Sequence, residues 1–165
     1  FSMLGESLET ARGQLQVSGE VSNPAGHLPW HLNTEVGLAA LDCWKETRLS
    51  THAVAQCYFD VFSECVGITF GPCFSAEIAN STCNVLLETP VADRVIYRLK
   101  SDGIEARKWW NNGCHKEPVF KKCAREPLPM TEFLTERVVG LPFFRGLSSG
   151  EVFNIRDSIE YAIKG

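Results

Sequence analysis

Between residues 54 and 65 apolar side chains return every third or fourth position: Val54, Cys57, Tyr58, Val61, Phe62 and Cys65. That rhythm dictates a long helix with one apolar face, and such a face has to lie against something. Gly67 and the Gly71-Pro72 pair then break the helix. Ahead of it, Asn33 or Thr34 can cap an earlier helix carrying Val36, Leu38, Ala39, Leu41 and Trp44. That helix is apolar almost all round, as expected of a buried helix or a subunit contact.

The second half alternates strand-like and helix-like stretches. Asn84-Val85-Leu86-Leu87-Glu88 reads as a short apolar strand. Thr89-Pro90 reads as a helix entry, with the Thr hydroxyl as cap and Pro at the first helical position. Val91, Val95, Ile96 and Leu99 give the helical spacing, and Ser101-Asp102-Gly103 ends it with a glycine past the cap. Ile104 to Arg107 is expected as a second strand, followed by a loop from Trp109 to Pro129. A short helix starts at Thr131, and Val138 to Phe144 is expected as a third strand or an extended segment. Ser148-Ser149-Gly150-Glu151 has capping-box spacing ahead of a last helix bearing Val152, Ile155, Ile159 and Ile163. The fold class expected is α/β, of the α+β small-domain kind: a sheet of about three strands covered on one face by helices. Residues 1–33 are the least patterned, with a short half-buried strand at Gln14–Ser18 as their main feature, so the ordered domain is expected over 34–165.

Several function classes drop out. With 16 Lys+Arg against 20 Asp+Glu the net charge is −4, which disfavours a phosphate backbone as partner. The longest apolar run, Val138 to Phe144, is far short of the ~20 residues that span a bilayer. The N-terminus shows no secretory pattern. Seven cysteines are an odd number with no metal-knuckle spacing, and several sit inside apolar helical patterns, which points to reduced thiols and a cytoplasmic protein, with an oxidised secreted domain as the lesser reading. His27 and His31 stand four apart, but Pro29 between them argues for a loop rather than a metal-binding helix face.

The richest cluster is Arg107-Lys108-Trp109-Trp110-Asn111-Asn112-Gly113-Cys114-His115. It offers a bidentate donor, two stacking faces and an imidazole, a set suited to an anionic or sugar-bearing ligand. The plain alternative is one core Trp on a solvated loop. Cys114 beside His115 is a weaker candidate for a thiol nucleophile, since adjacent side chains seldom face each other.

The stretch from Asp102 to His115 resembles the small-domain region of the DegT-type nucleotide-sugar aminotransferases: a Gly-Ile-x-x-Arg strand, an aromatic pair, and a His in the following loop. Glu35–Asp42, Asn84–Leu87 with Pro90, and Arg137–Ser148 are similar to further blocks of that family in the same order, so the likeness runs over residues 35–160. It implies the carboxy-terminal domain of an enzyme that uses pyridoxal phosphate (PLP) to move an amino group from glutamate to a nucleotide-linked keto sugar. It also implies a homodimer, or a large domain elsewhere, as partner. Arg107, Trp110 and His115 would then line the substrate edge. The family's Schiff-base Lys would fall at Ser7, the loop before the contact helix would fall at Gly26–His31, and the first lysine is Lys45. The chain is therefore expected to be incompetent alone. A non-catalytic domain that binds a ligand or a protein on the same scaffold is the alternative.

Overall fold

The computed structural model describes residues 30–165 apart from 110, with side chains from 34 onward. The Gln14–Ser18 strand, Ser7, His27 and Trp110 lie outside the described residues, and of His31 only the backbone is described. The chain divides into two units, Phe1–Leu49 and Ser50–Gly165.

In the first unit, helix α1 spans Trp30–Asp42, and α2, Trp44–Phe62, begins. No described residue of this unit is buried, and Val36 is 61% exposed. The expected cap is corrected: α1 already runs at Trp30, so Asn33 and Thr34 sit inside it. Both cost a helix interior only about 0.5–0.7 kcal/mol, too little to fix its start.

In the second unit, β1 (Ile68–Phe70), β2 (Cys83–Leu87) and β3 (Val138–Leu141) form one antiparallel sheet in that order. Helices α3 (Ala92–Ser101), α4 (Pro129–Thr135) and α5 (Ser149–Lys164) complete it, with a single 3-10 turn at Cys114–Lys116. The pairings Cys83↔Leu141, Val85↔Val139, Ile68↔Leu87 and Phe70↔Val85 put these side chains on one face. Against that face pack Val54, Tyr58, Val61 and Phe62 of α2, Val95 and Leu99 of α3, and Val152, Ile155 and Ile159 of α5. The expected periodicities of α2, α3 and α5 are therefore the ones that build the core. The Tyr58 hydroxyl crosses this layer to donate to the Pro142 carbonyl.

The helix ends show which local signals held. Ser148 Oγ accepts from the Glu151 N–H while Glu151 bonds back to the Ser148 N–H, the full capping box. After α3, Gly103 takes φ 76°. Its N–H donates to the Lys100 carbonyl, and that of Ile104 to Leu99, which is a Schellman exit.

Two expectations are corrected. Thr89 does not cap α3; Val91 holds the N-cap position with no side-chain bond. The helix start is served from afar instead, the Ala92 N–H donating to the Glu136 carbonyl at 3.1 Å. Ile104–Arg107 is not a strand either, because the Schellman exit consumes the Ile104 N–H. Only Arg107 reaches β3, in one antiparallel bridge with Gly140. The third strand is β1, whose three residues are too few for alternation to be read from sequence.

Candidate functional site

The other face of the sheet carries Asn84 and Leu86 of β2 and Val138 and Gly140 of β3. Asn84 pairs with Gly140, and Gly140 in turn exchanges both backbone hydrogen bonds with Arg107, at 2.9 and 2.7 Å. Directly opposed residues of antiparallel strands point to the same face. Asn84, Gly140 and Arg107 therefore form a row across the sheet. Gly140 has no side chain because the Trp109 indole occupies that space: a Cβ there would collide with Trp109 Nε1 and stand 3.2 Å from Asn84 Oδ1.

A cleft of about 620 Å³ takes in this row and continues past the end of β3 to Leu141, Leu147 and Ile155. Asn84, Arg107, Trp109 and Gly140 line it from the sheet, Phe143 and Phe144 from the chain after β3, and Glu151 and Asn154 from α5. The Arg107 guanidinium is exposed, with one nitrogen 3.5 Å from Glu105. A surface pair of that length leaves most of its donor fork for a ligand. Lys108 is held elsewhere. Its ammonium donates to both Asp93 carboxylate oxygens at 2.9 Å and to Asn112 Oδ1 at 3.2 Å. That grip ties the loop to the first turn of α3 and fixes the neighbours, Arg107 and Trp109.

His115 lies on the far side of the same indole. Its ring is buried, with Nε2 3.4 Å from Glu132 Oε1 and Nδ1 buried without a hydrogen bond. Gly113, at φ 91°, is what lets it tuck in: a Cβ there would be 2.7 Å from the ring. Glu132 also meets Lys116 at 3.6 Å, and His115 first, then Lys116, hold the Glu132 carboxyl below its ordinary value near 4.5. A second, apolar slot of about 400 Å³ lies here between Trp109, His115, Leu128, Thr131, Leu134 and Val138.

Of the sequence-derived site residues, Arg107 lines the larger cleft and His115 the smaller slot, and Trp109 walls both. Sequence reasoning passed over Asn84, whose only signal was a polar residue inside an apolar strand. Trp110, the remaining residue of the expected edge, lies outside the described residues. Cys114 is exposed while the His115 ring is buried, so the two do not form a nucleophile–base pair.

The described residues do not fit PLP as an anchored cofactor. A Schiff base needs a reachable amine, yet no lysine lines either cavity, and the Lys108 amine is clamped on Asp93. No cluster of three potential metal ligands occurs among the described residues. None of the described helices is long and apolar enough to cross a membrane.

Comparison with known proteins places the fold. An aminotransferase-assigned, PLP-dependent protein of Bacillus cereus ATCC 10987 superposes with a TM-score of 0.72 at 20% identity, over 79% of this chain and 36% of that one. DesI, solved in the presence of its TDP-sugar product, gives 0.68 at 20% identity, over 79% and 35%. Helicobacter pylori PseC, an aminotransferase involved in pseudoaminic acid biosynthesis, gives 0.69 at 17%, over 88% and 40%. The chain thus spans well under half the length of these structures. No curated protein matches it in sequence. The sequence profile of the DegT/DnrJ/EryC1/StrS aminotransferase family does match, over residues 31–160. This chain belongs to that family.

Proposed function

We propose that the chain is the carboxy-terminal, substrate-facing domain of a PLP-dependent aminotransferase acting on a keto sugar attached to a nucleotide. The observation that carries this reading is the cleft over the Asn84–Gly140–Arg107 row, in a chain of this family. Arg107 supplies a guanidinium suited to a diphosphate. Trp109 supplies a flat apolar wall, with Trp110 next to it in sequence, and His115 lines the neighbouring slot. The cofactor and its lysine come from another segment or another copy, glutamate serves as amino donor, and the setting is cytoplasmic. The domain binds and orients the sugar nucleotide and shields it from water, while the amino-transfer chemistry belongs to the coenzyme-bearing part.

The test is titration calorimetry of the chain with a nucleotide sugar. Wild type binds it, and Arg107→Ala weakens binding about tenfold or more, the worth of a hydrogen bond to a charged group. Unchanged circular dichroism shows that the domain is intact. Undetectable binding by wild type, or an Arg107→Ala affinity equal to it, refutes the reading. The lack of a lysine in either cavity favours a second reading, a domain that binds ligand or protein without catalysis. Adding the separately produced large domain of a family member distinguishes the two: restored amino transfer supports the enzyme, and failure to associate supports the binding domain.

A further inference from the structure

The row across the open sheet face holds a polar group that makes no hydrogen bond to another residue. Asn84 Oδ1 is buried and accepts no hydrogen bond, although Asn84 lines the cleft. A buried carbonyl oxygen left unmatched destabilises a protein, and such groups persist where a ligand completes them. The register gives the spacing. Cα atoms of opposed residues on neighbouring strands stand about 4.5–5.5 Å apart, so those of Asn84 and Arg107 are about 10 Å apart, with the indole of Trp109 over the Gly140 between them.

We infer that this row reads the hexose of a nucleoside-diphosphate sugar. Asn84 accepts from a ring hydroxyl, the Trp109 indole lies against the apolar face of the ring, and Arg107 takes the anionic linkage. The soft χ2 torsion of asparagine turns its oxygen toward the cleft without displacing the strand. Asn84 and Trp109 thereby become sugar-specificity residues, while Arg107 grips what every nucleotide sugar shares. This inference rests on the proposed function, since it names the part of that substrate that each wall contacts.

The experiment compares TDP-glucose with TDP, both titrated into the chain and into its Asn84→Leu variant. In wild type the sugar nucleotide binds tighter than the diphosphate. Asn84→Leu is expected to lose about tenfold in affinity for TDP-glucose, one neutral hydrogen bond, and to change by less than twofold for TDP. Its melting temperature stays equal or rises, since the unmatched oxygen is gone. Asn84→Ala carries the same expectation for binding and cannot overpack the cleft if the leucine variant fails to fold. Trp109→Ala likewise weakens TDP-glucose more than TDP. Equal loss for both ligands, or no loss for either, overturns the inference and leaves the proposed function standing. Wild type that binds neither ligand overturns both.

Discussion

The two faces of the three-stranded sheet are built from alternate residues of the same strands, yet they follow opposite rules. The helix-covered face, with Cys83, Val85, Leu87, Val139 and Leu141, is aliphatic and almost wholly excluded from water. The loop-covered face holds an asparagine, a glycine, an indole and the arginine that bridges to it. On the covered face the buried Tyr58 hydroxyl is satisfied by the Pro142 carbonyl. The open face keeps polar side chains that no neighbour completes, Asn84 Oδ1 and His115 Nδ1. The cleft draws its polar sheet residues from the open face and also reaches Leu141 and Ile155 at the end of β3, so substitutions deep in the covered face and on the open row should fail in different ways.

The largest effect belongs to the covered face. Leu87 is fully buried between the sheet and its helices. Leu87→Ala removes apolar contact and leaves a cavity, at a cost of about 2–5 kcal/mol. Urea unfolding should show that loss in the midpoint, and the fraction still folded should bind nucleotide sugar with unchanged affinity. A Leu87→Ala protein that is equally stable would mean that the two faces are not divided as described.

Gly140→Ala comes next and tests the open face. The added methyl collides with the Trp109 indole, which has to leave the sheet. Overpacking of this kind costs about 1–3 kcal/mol. The signature is a red-shifted Trp fluorescence and lost sugar-nucleotide binding, with the helix content retained. Unshifted emission would place the indole elsewhere.

The sequence made the covered face legible and the open face largely illegible, for a physical reason. Val54, Tyr58, Val61, Leu99, Ile155 and Ile159 repeat because one partner surface, the core, selects all of them, so periodicity reveals it. Ser148 with Glu151, and Gly103 after α3, were equally readable, since capping is decided within four residues. What could not be read was decided by distant chain. Glu136 supplies the cap that Thr89 was expected to give, and the Schellman exit reduces Ile104–Arg107 to one bridge. Asn84 acquires meaning only when Gly140 and Arg107 are brought beside it. Arg107 and His115 stand in one stretch of sequence, and only the folded chain shows that they line different cavities.

Gly113→Ala should have a smaller effect, confined to the loop. At φ 91° with the His115 ring 2.7 Å from any Cβ, alanine is strained twice over. A backbone at φ 91° and ψ 140° is one that almost only glycine populates, and the imidazole has to swing out of the slot. The His115 ring proton resonances should move from a buried to a solvated position by NMR, while core methyl shifts stay put. Core shifts moving as well would tie the slot to the other face.

The smallest effect is set by pH and is the most local. His115, then Lys116, stabilise the charged form of Glu132, so the folded carboxyl titrates below its ordinary value near 4.5. The folded state therefore binds fewer protons than the unfolded one in that range. The contribution is complete above pH ~4.5 and is lost as pH falls through the depressed value. Asp102, Glu151 and Glu160 are lowered too, first by Ser158, Ser148 and Lys164 respectively, so global unfolding blends all four. A local readout is needed: amide exchange of residues 113–120 against that of β2. Acidification should open the loop amides before the strand. Glu132→Gln, which keeps an acceptor but not the charge, should abolish the loop's own acid step and leave the exchange of β2 as it was. If loop and strand open together in wild type, the latch between His115 and Glu132 does not hold the open face shut.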